Sequence, residues 1–336
     1  MSGEQGHKCV CELADKRRLP DTIFQRLCNR SLWQLGKSLQ FLAQPALVVS
    51  ARTRLSCYNG WVNEAIPKKS LGQHWLHDDA ALESICESAA VQTGDVVLEI
   101  GPGLGTLTRK LLQRGARVTA VEYDPYLAQT LSKLLQEDSP LRTEDLERLT
   151  VVEGDILRFN LHQLPGGYKV VANIPYYLTS NLIRVLCESQ NPFSQAALLM
   201  QKEVAERVCA QPGDMSLLSV STQFYCQTSL GAFVPKELFT PPPKVDSQVL
   251  ELRFRSEPLF PNVDTKQFFR LVRAGFSQKR KTLLNALSGG LGISKAEAGD
   301  LLEQAGIRKT DRAQMLSLEQ WHKLYRASID PQTQNK

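Results

Sequence analysis

Apolar and polar residues alternate along the middle of the chain in a pattern that predicts strands and helices in turn. Short apolar runs, typical of buried parallel strands, are separated by segments with apolar residues three or four positions apart, typical of amphipathic helices. The predicted strands span residues 95–100, 117–122, 149–155, 169–173, 196–200 and 249–254. The predicted helices span residues 79–90, 104–114, 125–136, 180–188 and 202–208. This order favours an α/β, doubly wound (Rossmann-like) fold with a parallel sheet, in which ligands bind at the carboxyl ends of the strands.

The two ends of the chain have different patterns. Beyond Phe254 the strand pattern stops, and residues 268–276, 281–287, 296–304 and 318–327 are predicted as helices. We therefore expect an α/β domain over residues 67–255 and a small α-helical domain over residues 256–330. Residues 1–66 show no sustained periodicity, and we expect a poorly ordered extension with one short helix between Phe24 and Leu42.

The composition is that of an ordinary globular protein. The chain has 336 residues, of which 42% are hydrophobic and 22% charged. No apolar run approaches the roughly 18 residues that span a bilayer, and the early run from Phe41 to Val49 is interrupted by Gln44 and Pro45. We find no convincing secretory signal, so a membrane or secreted protein is not expected.

The cysteines indicate a reducing compartment. None of the eight is part of a Cys-x-x-Cys pair, and the group His7, Cys9 and Cys11 lacks a second pair of zinc ligands. We expect no metal site and a cytoplasmic location.

Charge is distributed unevenly along the chain. The net charge of +5 divides into +4 over residues 1–66, −5 over residues 67–234 and +6 over residues 235–336. Basic flanks around an acidic middle suit a polyanionic partner, although a solvated surface explains such a bias about as often.

A glycine-rich turn follows the first strand of the predicted sheet. Glycines at 101 and 103 permit a tight turn and a close approach of a ligand to the backbone, with the start of a helix beyond. The glycine motif of dinucleotide-binding enzymes, Gly-x-Gly-x-x-Gly, begins in the same way. In this chain Thr106 stands in place of the third glycine, and Gly105 comes one position before it. This spacing favours S-adenosylmethionine over a dinucleotide.

Two carboxylates stand at the ends of the next two strands. Glu122 can accept hydrogen bonds from both ribose hydroxyls of the cofactor, and Asp155 can accept one from its adenine amino group. Carboxylates at strand ends also cap helices or face solvent. The glycine-rich turn, Glu122 and Asp155 follow three consecutive strands, and this succession favours a cofactor site.

The segment Asn-Ile-Pro-Tyr-Tyr, which begins at Asn173, follows the fourth strand. Methyl transfer to an exocyclic amine requires groups that accept the amine hydrogens and free the nitrogen lone pair. The Asn173 amide oxygen and a backbone carbonyl beside Pro175 can do this, and Tyr176 offers a face on which an extruded base stacks. The alternative is an ordinary strand-to-turn segment.

The motif is similar to that of adenine-amine methyltransferases, and three other segments narrow the resemblance. They begin at Lys68 (Lys-Lys-Ser-Leu-Gly-Gln-His-Trp-Leu-His-Asp), Phe239 (Phe-Thr-Pro-Pro-Pro-Lys-Val-Asp-Ser) and Phe276 (Phe-Ser-Gln-Lys-Arg-Lys-Thr-Leu-Leu-Asn). Together they resemble the KsgA (RsmA) family of ribosomal RNA dimethyltransferases over about residues 67–327. The resemblance implies a class I methyltransferase sheet and the dimethylation of N6 in two adjacent adenines. Those adenines lie in the 3′-terminal hairpin loop of small-subunit (16S) ribosomal RNA, and modification accompanies 30S subunit biogenesis.

The resemblance also implies roles for particular residues. The cofactor positions are His74, Leu76, Gly101, Glu122, Asp155 and Asn173. Asn173 would orient the target amine, with Tyr176 and Phe239 on the two faces of the adenine. Many family members have Asn-Phe-Leu where this chain has His74-Trp75-Leu76, but a histidine can still donate a hydrogen bond to the carboxylate of the cofactor.

Cationic residues near the stacking pocket suit contacts with RNA phosphates. They are Lys244, Lys279, Arg280 and Lys281. Each alone is better explained as a solvated surface residue, but as a set we expect them to line an RNA channel. The expected partners are small-subunit ribosomal RNA and the assembling small subunit, bound by a monomer.

Two alternatives share parts of this pattern. An Erm-type methyltransferase of large-subunit RNA has the same Asn-Ile-Pro-Tyr motif, but the segment that begins at Phe239 favours the small-subunit class. A non-enzymatic nucleic-acid-binding relative, such as a mitochondrial transcription factor B, keeps the fold. The presence of Glu122, Asp155 and Asn173 favours an enzyme.

Overall fold

The computed structural model describes residues 67–68, 71–137 and 141–329. The predicted extension, with the helix expected between Phe24 and Leu42, lies outside the described residues. Within the described ranges, no helix combines the length and the apolar character that crossing a membrane requires.

A seven-stranded sheet forms the centre of the fold. Its strands are β2 (Val96–Ile100), β3 (Arg117–Glu122), β4 (Leu149–Glu153), β5 (Lys169–Asn173), β6 (Gln195–Gln201), β7 (Cys226–Val234) and β9 (Ser247–Phe254). Their order across the sheet is β4-β3-β2-β5-β6-β9-β7. A separate two-stranded ribbon pairs β1 (Trp75–Leu76) with β8 (Phe239–Thr240).

Helices cover both faces of the sheet. They are α1 (Asp79–Ser88), α2 (Thr106–Gln113), α3 (Pro125–Glu137), α4 (Thr143–Leu146), α5 (Thr179–Cys187), α6 (Lys202–Val208) and α7 (Leu217–Tyr225). Helices α1, α2 and α3 contribute to one apolar core, and α5 and α6 contribute to the other.

The apolar runs of the strands follow from this double cover. In β5, Val170 and Ala172 belong to the core beneath α5, whereas Val171 belongs to the core beneath α1. Because successive side chains of a strand point to opposite faces, a strand covered on both sides is apolar at every position. This confirms the predicted α/β, doubly wound fold class.

The sheet is mixed, which corrects the prediction of a parallel sheet. Strands β2 to β6 are parallel, but β9 runs antiparallel to both β6 and β7. Strand β7 was not predicted, because it is the edge strand and its largely exposed residues show no regular alternation. The short elements β1, β8 and α4 were not predicted either.

Four further helices follow the sheet: α8 (Thr265–Phe276), α9 (Leu283–Leu291), α10 (Lys295–Gln304) and α11 (Leu318–Ile329). They agree with the four predicted helices. Their core also includes Val220 and Phe224 of α7, which precede residue 256 in the chain. The limits of the two domains therefore stay a prediction.

Candidate active site

A cavity of about 380 Å³ opens at the carboxyl ends of β2, β3 and β5. It brings together all nine residues predicted for the cofactor and the target base. They are His74, Leu76, Gly101, Glu122, Asp155, Asn173, Pro175, Tyr176 and Phe239. The four predicted RNA-binding cations, Lys244, Lys279, Arg280 and Lys281, are exposed and are not part of its lining.

The glycine-rich turn after β2 forms the floor of the cavity. Gly101 and Gly103 have φ angles of +67° and +56°, a region that side chains disfavour. Gly105 has another reason to be glycine, since a Cβ there would lie 2.8 Å from a methyl carbon of Leu131 in α3. Helix α2 begins at once after this turn, and no side chain caps its first turn. The backbone can therefore approach a ligand at the turn while α2 packs against α3.

Glu122 joins the glycine-rich turn to the end of β3. Its Oε2 accepts a hydrogen bond from the backbone N–H of Gly103 at 3.1 Å, and its Oε1 accepts one from Asp124 at 2.9 Å. Burial raises the pKa of Glu122, while these backbone N–H donors oppose the rise. A carboxylate accepts about four hydrogen bonds, so Glu122 retains capacity for the ribose hydroxyls of a cofactor.

Glu99 also lines the cavity, but it was not predicted as a site residue. It lies in β2 and is only 1% exposed, and neither carboxyl oxygen has a hydrogen-bond partner of good geometry among the described residues. Burial raises the pKa of Glu99 to about 8, with the nearby Thr108 opposing and Glu122 adding to the rise. The carboxyl group is therefore largely protonated at neutral pH. A charged residue inside an apolar strand was the signal that could have identified it.

Asp155 follows β4 and is partly exposed. Its Oδ1 accepts a hydrogen bond from the backbone N–H of Leu157 at 2.9 Å, and its Oδ2 lies 3.9 Å from Arg158. The side chain thus stabilises its own turn and still borders the cavity. It can also accept a hydrogen bond from an adenine amino group there.

Asn173 ends β5 and is fixed by the segment before β1. Its Nδ2 donates to the backbone carbonyl of His74 at 3.0 Å. Because the amide nitrogen is engaged, the amide oxygen is the group that can accept a hydrogen bond from a target amine. This orientation is the one that the predicted chemistry needs.

His74 and Tyr176 form a stacked pair beside Asn173. Their ring centroids are 6.0 Å apart with an interplanar angle of 23°. The Nδ1 of His74 donates to the carbonyl of Pro241 at 2.7 Å, and the hydroxyl of Tyr176 lies 3.1 Å from the Ser247 hydroxyl. Burial raises the pKa of Tyr176, so its hydroxyl stays protonated. The His74 ring is therefore held by the residue that follows β8, and the Tyr176 ring by the first residue of β9.

Phe239 is only 3% exposed and pairs with Leu76 in the β1–β8 ribbon. It lines the cavity, as does Trp75, whose buried Nε1 has no hydrogen-bond partner among the described residues. The predicted stacking of an adenine between Tyr176 and Phe239 stays a prediction.

Two exposed tyrosines at the cavity were not predicted. Tyr123 follows Glu122, and Tyr177 follows Tyr176; both line the cavity while most of their surface faces solvent. Each directly follows a predicted site residue, which is the only signal the sequence offers for them.

The chain was then compared with known proteins. The sequence profile of the family described as ribosomal RNA adenine dimethylase matches residues 66–329. A protein named ribosomal RNA small subunit methyltransferase A from Dehalococcoides mccartyi is 38% identical over 295 residues, which is 86% of this chain and 97% of that protein. A protein of the same name from Clostridioides difficile is 37% identical over 283 residues, or 80% of this chain and 94% of that protein.

Solved structures of similar fold extend the comparison. A dimethyladenosine transferase from Plasmodium falciparum is 29% identical to this chain, with a TM-score of 0.62. The aligned region covers 75% of this chain and 96% of that protein. The 23S rRNA methyltransferase ErmE is also 29% identical to this chain, with a TM-score of 0.59. The aligned region covers 75% of this chain and 98% of that protein.

Proposed function

The chain belongs to the ribosomal RNA adenine dimethylase family, and we propose that it dimethylates the N6 amines of two adjacent adenines in small-subunit (16S) ribosomal RNA. It is an S-adenosylmethionine-dependent rRNA adenine dimethyltransferase. The adenines are those of the 3′-terminal hairpin loop, and they are modified while the small subunit is assembled.

The observation that carries this proposal is the position of Asn173. Its amide is fixed by the hydrogen bond to His74, beside the Tyr176 ring and in the same cavity as Glu122 and the glycine-rich turn. A target amine and a cofactor that meet in this cavity are brought within reach of one acceptor. Positioning of this kind is a large part of what an enzyme contributes to group transfer.

The residues of the cavity suit S-adenosylmethionine. The uncapped start of α2 and the turn at Gly101 and Gly103 suit the methionine end, and Glu122 suits the ribose. Asp155 suits the adenine. When bound, the cofactor supplies an electrophilic methyl group. The Asn173 amide oxygen then accepts a hydrogen bond from the target amine and stabilises the positive charge that develops on the amine nitrogen.

The relatives favour the small subunit over the large one. The structural similarity alone does not separate them, since the dimethyladenosine transferase and ErmE have the same 29% identity to this chain. The curated relatives at 37–38% identity are named small subunit methyltransferase A. A non-enzymatic role is disfavoured by the shared placement of Glu122, Asp155 and Asn173 in one cavity.

RNA is the partner that the family implies. We further propose that the enzyme works as a monomer on the assembling small subunit, in the cytoplasm, where ribosomes are assembled. The exposed residues Lys244, Lys279, Arg280 and Lys281 would contact phosphates, with the helices after β9 as the main RNA-binding region.

The test is methylation of small subunits that lack the modification. Subunits from a strain deficient in this methylation are incubated with the full-length protein and S-adenosylmethionine labelled in the methyl group. The modified positions are then mapped. We expect label on N6 of two adjacent adenines near the 3′ end of the small-subunit RNA. Label confined to large-subunit RNA, or no transfer to either, would refute the proposed function.

A further inference from the structure

Tyr177, like Tyr123, is an exposed aromatic residue at the mouth of the cavity. It lines the cavity, yet its side chain is 64% exposed, more than that of any other large hydrophobic residue in the described ranges. An isolated exposed aromatic needs no explanation. An exposed aromatic at the mouth of an active site, next to the predicted catalytic turn, offers a free flat surface where substrate must pass.

The Tyr177 ring lies near Gly72. A Cβ built on Gly72 would lie 3.7 Å from Cδ1 and 3.8 Å from Cε1 of the ring, and 3.8 Å from the Cβ of Pro175. One edge of the ring therefore rests near the backbone of the segment before β1. The backbone N–H of Leu178 donates to the carbonyl of Pro175 at 2.9 Å, which closes the turn that carries the ring.

Tyr176 and Tyr177 are consecutive but have opposite environments. The hydroxyl of Tyr176 reaches Ser247, and its ring lies half-buried against His74. Tyr177 is turned outward at the mouth. If the inner ring contacts the base that has entered the cavity, the outer ring lies where the neighbouring base of the same strand remains.

The local charges favour a base over a phosphate at this place. Burial contributes most to the raised pKa of Tyr177, and the hydroxyl of Tyr123 and the carboxylates of Asp155 and Glu122 add to it. Negative groups near the ring repel a phosphate. They do not oppose the stacking of a neutral base on the ring face.

We propose that Tyr177 stacks on the nucleotide next to the target adenine and so holds the second adenine of the pair at the cavity mouth. This role rests on the proposed function, because it requires two adjacent target adenines. While one adenine is inside the cavity, the other is retained on Tyr177. The enzyme can then exchange the two without releasing the RNA.

The test compares Tyr177→Ala and Tyr177→Phe with wild type on unmethylated small subunits. Loss of one base–aromatic stack lowers affinity by roughly tenfold. We expect Tyr177→Ala to lower kcat/KM for the subunit by about this factor and to leave more subunits with only one modified adenine. Tyr177→Phe keeps the ring and is expected to retain the wild-type values. Tyr126→Ala is the matched control, because Tyr126 is also exposed but does not line the cavity.

A second substrate separates stacking from other roles. In mutant subunits one adenine of the pair is replaced by uridine, whose smaller ring stacks more weakly. Wild type is expected to methylate the remaining adenine several-fold more slowly than in the adenine pair. Tyr177→Ala should show little additional loss, because the contact with that base is already weakened. Additive losses would overturn the proposal.

Cofactor binding distinguishes the main rival role. Tyr177 could instead cover S-adenosylmethionine, and calorimetry on the full-length variants measures this directly. An unchanged cofactor Kd supports the RNA contact, whereas a Kd weakened in parallel with kcat/KM would overturn it. If wild type modifies no adenine in small subunits, the proposed function itself fails. If wild type modifies both and Tyr177→Ala does so equally well, only the role of Tyr177 fails.

Discussion

The carboxylate of Glu122 accepts a hydrogen bond from the backbone N–H of Gly103 at 3.1 Å, across the cavity floor. This bond ties the end of β3 to the turn after β2, so the shape of the glycine-rich turn depends on the Glu122 side chain. The two strands pair in parallel up to Ile100 and Val121, which brings their carboxyl ends side by side. We therefore expect loss of the Glu122 carboxylate to change both the turn and the cofactor site proposed for it.

We predict that Glu122→Ala weakens S-adenosylmethionine binding more than it slows methyl transfer at saturating cofactor. In the proposed site the carboxylate contacts the ribose, remote from the methyl group, and so would contribute to ground-state and transition-state binding alike. A tenfold or greater rise in the cofactor Kd is expected by calorimetry. Glu153→Ala is the control, because Glu153 is opposite Glu122 on β4 but is exposed. A large fall in saturated turnover with an unchanged Kd would contradict the assignment.

The sequence predicted the strands that carry the site because those strands are covered on both faces. Buried apolar residues run through β2, β3 and β5, and Glu122 and Asn173 stand at the ends of β3 and β5. Asp155 follows β4, whose Val151 and Val152 pack into the two opposite cores. Parallel strands bring their carboxyl ends to one edge, so the three residues were expected to meet. The structure places all three in one cavity.

Features that depend on antiparallel pairing could not be predicted in this way. Strand β9 places Ser247 opposite Gln201 of β6, and this pairing brings the Ser247 hydroxyl to Tyr176.

Helix α7 was not predicted, because serine, threonine and valine favour a helix only weakly, although Ser216 forms a capping box at its start. The sequence also does not show which of two consecutive side chains is exposed, so the exposed Tyr177 could not be distinguished from the half-buried Tyr176.

The basic run after α8 provides a prediction about RNA affinity. Replacing Lys279, Arg280 and Lys281 together by glutamine should weaken binding to small subunits. The plot of the logarithm of the binding constant against the logarithm of the salt concentration should also become less steep. The magnitude of its negative slope should fall by about 0.7 for each lost phosphate contact. Cofactor binding should not change, because the three residues lie outside the cavity lining. Filter binding at several salt concentrations measures both quantities.

A control triple variant tests whether the effect is local. Lys266, Arg270 and Lys295 are also exposed on the helices after β9. Replacing them by glutamine removes the same net charge. Equal losses in the two triple variants would show that overall charge, and not the run at residues 279–281, determines RNA affinity.

Glu99 provides a prediction about stability and pH. Its pKa is raised to about 8 in the folded protein, against the usual value near 4.3 in an unfolded chain. Between these values the folded state holds a proton that the unfolded state has released, so the contribution of Glu99 to stability falls as pH rises from about 4 to 8. Glu99→Gln removes this dependence. The variant should gain on the order of 2–4 kcal/mol relative to wild type between pH 5 and pH 8.5.

Urea unfolding of the cofactor-free protein at the two pH values measures that difference. Glu153→Gln is the control, because Glu153 is exposed and should show no comparable change. A stability difference between Glu99→Gln and wild type that is the same at both pH values would show that the Glu99 carboxyl is not held protonated.

The last prediction concerns Asn173, the residue on which the chemistry depends. Its Nδ2 donates to the His74 carbonyl, which leaves the amide oxygen to hold the target amine as positive charge develops on the nitrogen. Such a contact strengthens toward the transition state, and its loss typically costs about 3 kcal/mol, or roughly a hundredfold in rate. Asn173→Ala should therefore nearly abolish single-turnover methylation at saturating S-adenosylmethionine. Filter binding to small subunits should stay close to wild type, because RNA affinity comes from cationic contacts elsewhere. Asn160→Ala is the matched control, since Asn160 caps a short helix outside the cavity. Methylation by Asn173→Ala within a few-fold of wild type would mean that Asn173 only shapes the turn after β5.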